Sequence, residues 1–511
     1  MRNPQVRDEA GYIVREFDDK KHIDIGGVLT EDRQGVAFMY AEDQLLVREQ
    51  YLPLVQDILA ERGQAEIIKR VIRDIVLVKV IYAPGYGQKA EGNDSTPEGN
   101  EGNDQPAEGD STQPEREQPI LLRLLDEIDA ALGPGIATLD HVLTAAENPS
   151  PCPATEPEEV YDPAPYPPAC PDGGDRVRIY VADTGIVDAT VSSADFSWLD
   201  GITGDPDPSV LGNTILPYGG HGTFVGGVIR CLAPGAEVVV KCVFDVAGSG
   251  LESDFVPKLH EGFAYGAEIF HITVASQTRH NFPLIAFEAW MADLFQHKGV
   301  VCVVAAGNND SRQPCWPAAF PGLISVGALG ADVRRRAYFS NFGSWVDVYA
   351  PGQNLVNAFA TGSYTCHVAP HEGEVRTFSG MAQWSGTSFS TPIVTGLIAA
   401  RMARCGESAR EAAAALLARA RAQAIPGVGA VLFPGCEDDD KHCGHCGTGC
   451  RGCGCEGCDC GCGGRGGHGR CGCGGGHGGH GGCGCGGGHG GCGCGGGGHG
   501  GGHRGRGPRP R

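Results

Sequence analysis

The sequence predicts an α/β chain: a mostly parallel sheet with helices on both faces, a small N-terminal α/β domain before it and a low-complexity tail after it. Three observations predict this. Residues 176–423 alternate near-continuous apolar runs with helical periodicity, the rhythm of βαβ units whose strands are buried on both faces. Residues 1–83 carry a second, shorter α/β alternation. Residues 424–511 become mostly glycine, cysteine and histidine, and glycine at that density builds no core. At 511 residues the chain is also too long for one ordinary core.

In the N-terminal domain, residues 35–40 and 71–80 read as strands, while Leu52, Leu54, Val55, Ile58 and Leu59 give residues 51–62 a helical period. Residues 84–118 turn to Gly, Asn, Asp, Glu, Ser and Pro, with Glu91-Gly92-Asn93-Asp94 nearly repeated as Glu101-Gly102-Asn103-Asp104. Low hydrophobicity with net negative charge cannot offset chain entropy, so an acidic disordered linker is expected there. Its carboxylates match no calcium-loop spacing. Residues 119–175 read as an amphipathic helix through Ile120, Leu121, Leu122, Leu124, Leu125 and Ile128, then a Pro-rich connector.

A net charge of −22 argues against a nucleic-acid partner. Residues 1–30 are charged throughout and hold no apolar signal core, and no run of 18 apolar residues suggests a membrane span. The expectation is a soluble cytoplasmic protein without a membrane partner, its thiols reduced or metal-bound. Export by a route with no readable signal stays open.

Within residues 176–423, a strand over 177–182 ends at Asp183-Thr184-Gly185, and His221 opens a helical stretch over 221–232 after Gly219-Gly220. Strands at 237–243, 268–274 and 300–305 alternate with helices at 252–265 and 284–295, and Gly307-Asn308 follows the last of these strands. Trp384-Ser385-Gly386-Thr387-Ser388-Phe389-Ser390-Thr391-Pro392 then leads into an apolar helix, placing Ser388 at its entrance. There, unpaired backbone N–H groups and the positive end of the helix dipole favour an anion. Each residue has a plainer reading: Ser388 or a neighbour as an N-cap, Asp183 as a turn residue, His221 as a helix cap, Asn308 as a loop residue. Taken together, all four sit where an open parallel sheet presents its functional edge.

The stretches Tyr180-Val181-Ala182-Asp183-Thr184-Gly185, His221-Gly222-Thr223-Phe224-Val225-Gly226-Gly227, Ala305-Ala306-Gly307-Asn308 and Ser385-Gly386-Thr387-Ser388-Phe389-Ser390-Thr391-Pro392 resemble the subtilisin-like serine peptidases, the subtilases. Shorter matches, such as Phe339-Ser340-Asn341-Phe342-Gly343, support the resemblance, which covers roughly half the chain. It implies a subtilisin-like fold and a serine endopeptidase acting on peptide or protein chains, with no cofactor needed for catalysis. His221 would be the base, Asp183 its orienting partner, Ser388 the nucleophile and Asn308 an oxyanion donor. These types suit the chemistry, because a serine hydroxyl needs a base near neutral pH and an oxyanion needs a fixed donor.

By the same resemblance, Gly248, Ser249 and Gly250 correspond to an edge strand that pairs with an extended substrate. Thr273, Val274 and Ala275 stand where the family has Ser-Leu-Gly; Ala275 in place of glycine is expected to narrow the specificity pocket. Phe224 replaces a histidine common in the family. Residues 1–83 then have two readings, an inhibitory propeptide or a partner-binding domain. A catalytically silent peptide-binding or metal-responsive protein is the alternative to the enzyme.

Of 23 cysteines, 15 follow Pro434. Cys443, His445, Cys446, Cys450 and Cys453 begin a series whose thiolates and imidazoles suit zinc or another soft metal. No four-ligand set stands out, so an unstructured extension and, after export, a disulfide-crosslinked tail stay open as readings. The sequence identifies no calcium site and no oligomeric state.

Overall fold

In the strand Arg178–Asp183, Ile179 and Val181 join one apolar cluster while Tyr180 and Ala182 join another. Side chains alternate across a strand, so a strand buried on both sides needs helices on both faces. The helices His221–Leu232, Thr387–Cys405 and Ala409–Ala422 supply the first cluster, and Glu252–Tyr265 with Ile285–Leu294 supply the second. The computed structural model describes residues 8–30, 35–83, 118–145, 154–161, 164–170, 176–244 and 248–434. Nearly all of the acidic linker, and Cys443, His445, Cys446, Cys450 and Cys453 of the tail, lie outside them.

The larger sheet has seven parallel strands in the order Val348–Pro351, Ile324–Leu329, Val301–Ala305, Ile269–Ile272, Arg178–Asp183, Glu237–Cys242, Ile202–Gly204. The direction of winding reverses between Arg178–Asp183 and Ile269–Ile272, which opens a crevice at the carboxyl ends of those strands. Asp183, residues 273–275 and Asn308 all lie at that edge.

The N-terminal domain builds the other large sheet, which has six strands. Its main order is Ser249–Leu251, Ala137–Thr144, Val36–Arg48, Ile75–Tyr82, Gly63–Ile72, with Ile25–Leu29 also paired to Val36–Arg48, all antiparallel. Two features depart from the sequence reading. The apolar run at 71–80 is two strands, because Arg73 takes a left-handed φ of 46° and turns the chain so that Ile72 pairs with Ile75. The helix Ile120–Leu132 also leads into a strand, Ala137–Thr144, rather than directly into a connector, and both elements pack into the N-terminal domain. That strand is buried at every position, yet Thr138, Asp140, His141 and Thr144 are polar, so neither a continuous apolar run nor a regular alternation marks it.

This sheet rests on the helices Glu252–Tyr265 and Ile285–Leu294 of the larger half. Leu46, Val71, Ile72, Ile75 and Leu77 join the same apolar cluster as Phe255, Phe287 and Trp290. Around that seam Lys69 and Lys21 reach Asp254, Arg48 reaches Glu288, and Arg73 reaches Asp293. Arg279, in the loop after Ala275, reaches back to Asp126 and Asp129 of the helix Ile120–Leu132.

Among the described cysteines, Cys170 and Cys405 are disulfide-bonded, unlike the reduced or metal-bound thiols expected from sequence, whereas Cys231, Cys242, Cys302, Cys315 and Cys366 are not. No helix among the described residues is long and apolar enough to cross a membrane.

Candidate active site

Asp183 is fully buried at its strand end, and its carboxylate is fully engaged. Oδ1 accepts from the Thr184 N–H at 2.7 Å and faces His221 Nδ1 at 2.7 Å, while Oδ2 accepts from Thr273 Oγ1 at 2.7 Å. Burial alone would raise this carboxyl; the charge and hydrogen bond of His221, with the Thr273 and Thr184 donors, outweigh it and hold the group below the ordinary range. A carboxylate only accepts, so Nδ1 carries the proton and Nε2 of the neutral ring is left as the acceptor. Nε2 is buried and has no partner among the described residues.

A second carboxylate holds the two turns that present this pair. Asp207 Oδ2 accepts from Thr184 Oγ1 at 2.9 Å and from the Gly220 N–H at 2.8 Å, and Thr184 Oγ1 accepts from the Gly222 N–H at 3.0 Å. Burial pushes Asp207 up to about 6, and its hydrogen bonds work against that rise. Gly222 has to be glycine here, since a Cβ would stand 2.3 Å from the Gly185 carbonyl oxygen.

Ser388 is the second residue of the helix Thr387–Cys405 and is buried. The first turn is tied to the Asn308 loop: Asn308 Oδ1 accepts from the Thr387 N–H at 2.8 Å and from Thr387 Oγ1 at 3.0 Å, and the Gly307 N–H donates to Thr387 Oγ1 at 3.1 Å. A backbone N–H can only donate, so these bonds fix the Asn308 amide with its oxygen toward the helix. Its Nδ2 is buried and unpartnered among the described residues. Asn341 braces the loop from behind, donating to the Ala306 carbonyl at 2.9 Å and accepting from the Asn309 and Ser311 N–H groups at 3.0 and 2.9 Å.

The cleft between the expected substrate-binding segments holds the chain's own strand. Ser249 pairs with Thr144, Gly250 with Leu143 and Leu251 with Val142, and the Ala145 N–H donates to the Gly248 carbonyl at 3.0 Å. On the other side, Thr144 and Ala275 exchange backbone hydrogen bonds of 3.2 and 2.9 Å. Ser388 Oγ donates to the Ala145 carbonyl at 3.3 Å. Gly248 admits this approach beneath a ring: at φ +64°, a Cβ there would lie 2.3 Å from Tyr218 Cδ2. Of the Thr273, Val274 and Ala275 stretch, only Ala275 meets the docked strand through its backbone; the Thr273 hydroxyl serves Asp183, and Val274 is core.

The strand 137–145, the Thr273 hydroxyl, Asp207 and the Asn341 brace were not identified from sequence. The strand did carry a signal, since Gly133-Pro134-Gly135 marks a turn ahead of Ile136-Ala137-Thr138-Leu139. Among the described residues no group of three or more His, Cys, Asp or Glu could hold a metal ion.

A sequence profile described as the subtilase family matches residues 174–433. The chain is 32% identical over 241 residues to a thermophilic serine proteinase of Bacillus sp. (strain AK1), covering 44% of this chain and 52% of that protein. It is 31% identical over 234 residues to a cuticle-degrading serine protease of Arthrobotrys oligospora, covering 44% and 51%. The chain thus spans about half the length of these relatives. A crystal structure of a cold adapted subtilisin-like serine proteinase aligns with 52% of this chain and 91% of that one, at 23% identity and a TM-score of 0.40.

Proposed function

This chain belongs to the subtilase family, and from that premise we propose that it is a serine endopeptidase whose N-terminal domain inhibits it by occupying the cleft. Ser388 Oγ attacks the substrate carbonyl while His221 Nε2 takes its proton, and Asp183 stabilises the imidazolium without taking the proton itself. The developing oxyanion is received by Asn308 Nδ2 and by the Ser388 N–H, which at the second helical position has no intrahelical acceptor. The leaving amine takes the proton from His221, and water then hydrolyses the acyl-enzyme by the same route in reverse. No step uses a cofactor, and zinc or another soft metal on the Cys443–Cys453 segment would act outside this chemistry.

One observation carries the reading. The two nitrogens the chemistry needs free, His221 Nε2 and Asn308 Nδ2, are buried without partners among the described residues; Asn308 is bonded to Thr387 and His221 packs on Phe389, the residues flanking Ser388, whose hydroxyl meets a backbone carbonyl. Buried polar groups are usually paired, and these two orphans differ from others such as Glu252 Oε2 and Trp290 Nε1 in lying against the residues on either side of the serine.

The docked strand supports inhibition over a separate partner-binding role. It lies antiparallel to Ser249–Leu251, as a substrate added to a sheet edge would. The Ser388 contact with the Ala145 carbonyl supports self-cleavage at Ala145–Ala146 or at the next bond in sequence, and alanine is the acyl residue either way, in keeping with the narrowing expected at Ala275.

The test is the fate of the full chain. The wild type is expected to yield a new N-terminus at Ala146 or Glu147 and to react with a serine-directed fluorophosphonate. Ser388→Ala should stay intact and unlabelled. A folded wild type that is neither cut nor labelled would instead support the silent, peptide-binding alternative.

A further inference from the structure

Three aromatic rings surround His221. The Trp384 centroid lies 5.5 Å from the imidazole at 82°, Phe389 lies 5.2 Å away at 46°, and Tyr218 lies 6.1 Å away at 66°. A second layer holds the first in place: Phe224 sits 4.6 Å from Phe389, and Phe359 sits 5.4 Å from Trp384. Trp384 is also tethered, since its Nε1 donates to the Thr155 carbonyl at 2.6 Å, in the connector that pairs with residue 383. Trp384 and Phe389 flank the serine motif itself, so the turn that presents Ser388 also carries the rings that enclose its base.

The imidazolium that forms during attack is a charge in a buried place. Asp183 meets it on one edge. Of the other titratable groups nearby, Asp207 sits behind the two turns and is pushed up to about 6 by burial, Tyr218 is a phenol, and His271, on the neighbouring strand, is driven down to about 3 by burial and so adds no positive charge near neutral pH. The serine helix brings Thr387, Ser388 and Phe389, none of them charged. A cation over the face of an aromatic ring and within about 6 Å of its centroid is attracted by the ring quadrupole, more strongly where water is excluded, and the Trp384 and Phe389 centroids lie within that distance of the imidazole.

We propose that Trp384 and Phe389 are positioning residues that stabilise the protonated form of His221 as it accepts the serine proton. This rests on the reading of His221 as the base.

The test uses the full chain after its own processing, assayed on denatured casein per fluorophosphonate-titrated site. Trp384→Leu and Phe389→Leu are each expected to lower kcat about fivefold with KM little changed. The acid limb of the pH–rate profile should move to lower pH, because an imidazolium without ring support gives up its proton more readily. Trp384→Phe should restore most of the rate. Thermal unfolding identifies any variant that fails to fold, and Phe389→Leu with Trp384→Phe keeps the test decisive if Trp384→Leu does. Folded variants that keep kcat, or lose it with the acid limb unmoved, overturn the proposal. If Ser388→Ala or His221→Ala retains turnover, the underlying serine peptidase reading fails instead.

Discussion

Where the parallel sheet ends at Asp183 and Asn308, two buried nitrogens are left without partners. Where the N-terminal sheet meets the helices Glu252–Tyr265 and Ile285–Leu294, Lys21, Arg48, Lys69 and Arg73 each find a carboxylate. The sheet edge holds two nitrogens that the proposed chemistry would use, whereas the lysines and arginines of the seam are ion-paired, even though Glu252 Oε2 and Trp290 Nε1 beside them have no hydrogen-bond partner among the described residues. A buried unpaired polar group costs roughly 1–3 kcal/mol, so the first arrangement is stable only in a rigid surround. The second would favour retention of the N-terminal domain after the proposed cleavage, because partly buried ion pairs and a shared apolar cluster do not depend on the connecting peptide.

The contrast breaks most completely at the nucleophile. Ser388→Ala should reduce casein turnover by on the order of 10⁶ and leave the full chain uncut. Asn308→Ala removes one reserved nitrogen and is expected to lower kcat by about 10²–10³ with little change in KM. It should also loosen the Thr387 turn, and hydrogen exchange at Thr387 would reveal that. Thr273→Val leaves Asp183 Oδ2 without its donor; a loss of about tenfold in kcat is expected, with a lower melting temperature from the exposed desolvation cost.

The seam should respond to pH rather than to catalytic substitutions. Asp140, on the docked strand, accepts from the Ser253 N–H at 3.0 Å and Ser253 Oγ at 2.6 Å, and burial pushes it up to about 7. Burial and the nearby Asp140 charge also raise Glu252. The docked state therefore holds a proton that an exposed aspartate, at about 3.9, has released. Docking weakens as pH rises from about 4 through 7, by up to about tenfold per unit. His141, lowered by burial to about 3, has the opposite sign, and its contribution is lost as pH falls below about 6.5. Between pH 6 and 8 the Asp140 slope dominates: cleaved protein should keep less of its N-terminal domain on gel filtration at pH 8, and Asp140→Asn should flatten the difference. The smallest effect is expected at the tail. A chain ending at Pro434 should turn over casein within about twofold of the full chain, with or without zinc, and a larger zinc-dependent difference would show regulation by the tail in cis.

Local chemistry was the legible part. The strand ending at Asp183, the helix opening at His221 and the turn before Ser388 each lie within a few residues of the signals that shape them. The run at 71–80 misled because its apolar residues continue through the Arg73 turn, where only a charged pair marks the break. The strand Ala137–Thr144 was missed because half of its buried residues are polar, so it lacks the continuous apolar run of a strand covered on both faces. The Thr273 hydroxyl was assigned to the cleft, and nothing near it in sequence shows that it turns toward Asp183.

The sequence by itself determined which residue types stand at the strand ends and helix entrances, since turns, caps and periodicity act over a handful of neighbours. Tertiary structure alone decided that the Asn308 amide turns its oxygen to Thr387, that rings enclose His221, and that the Ala145 carbonyl meets a serine 243 positions later. Those outcomes depend on strand register and on packing between distant segments, which local propensity does not encode.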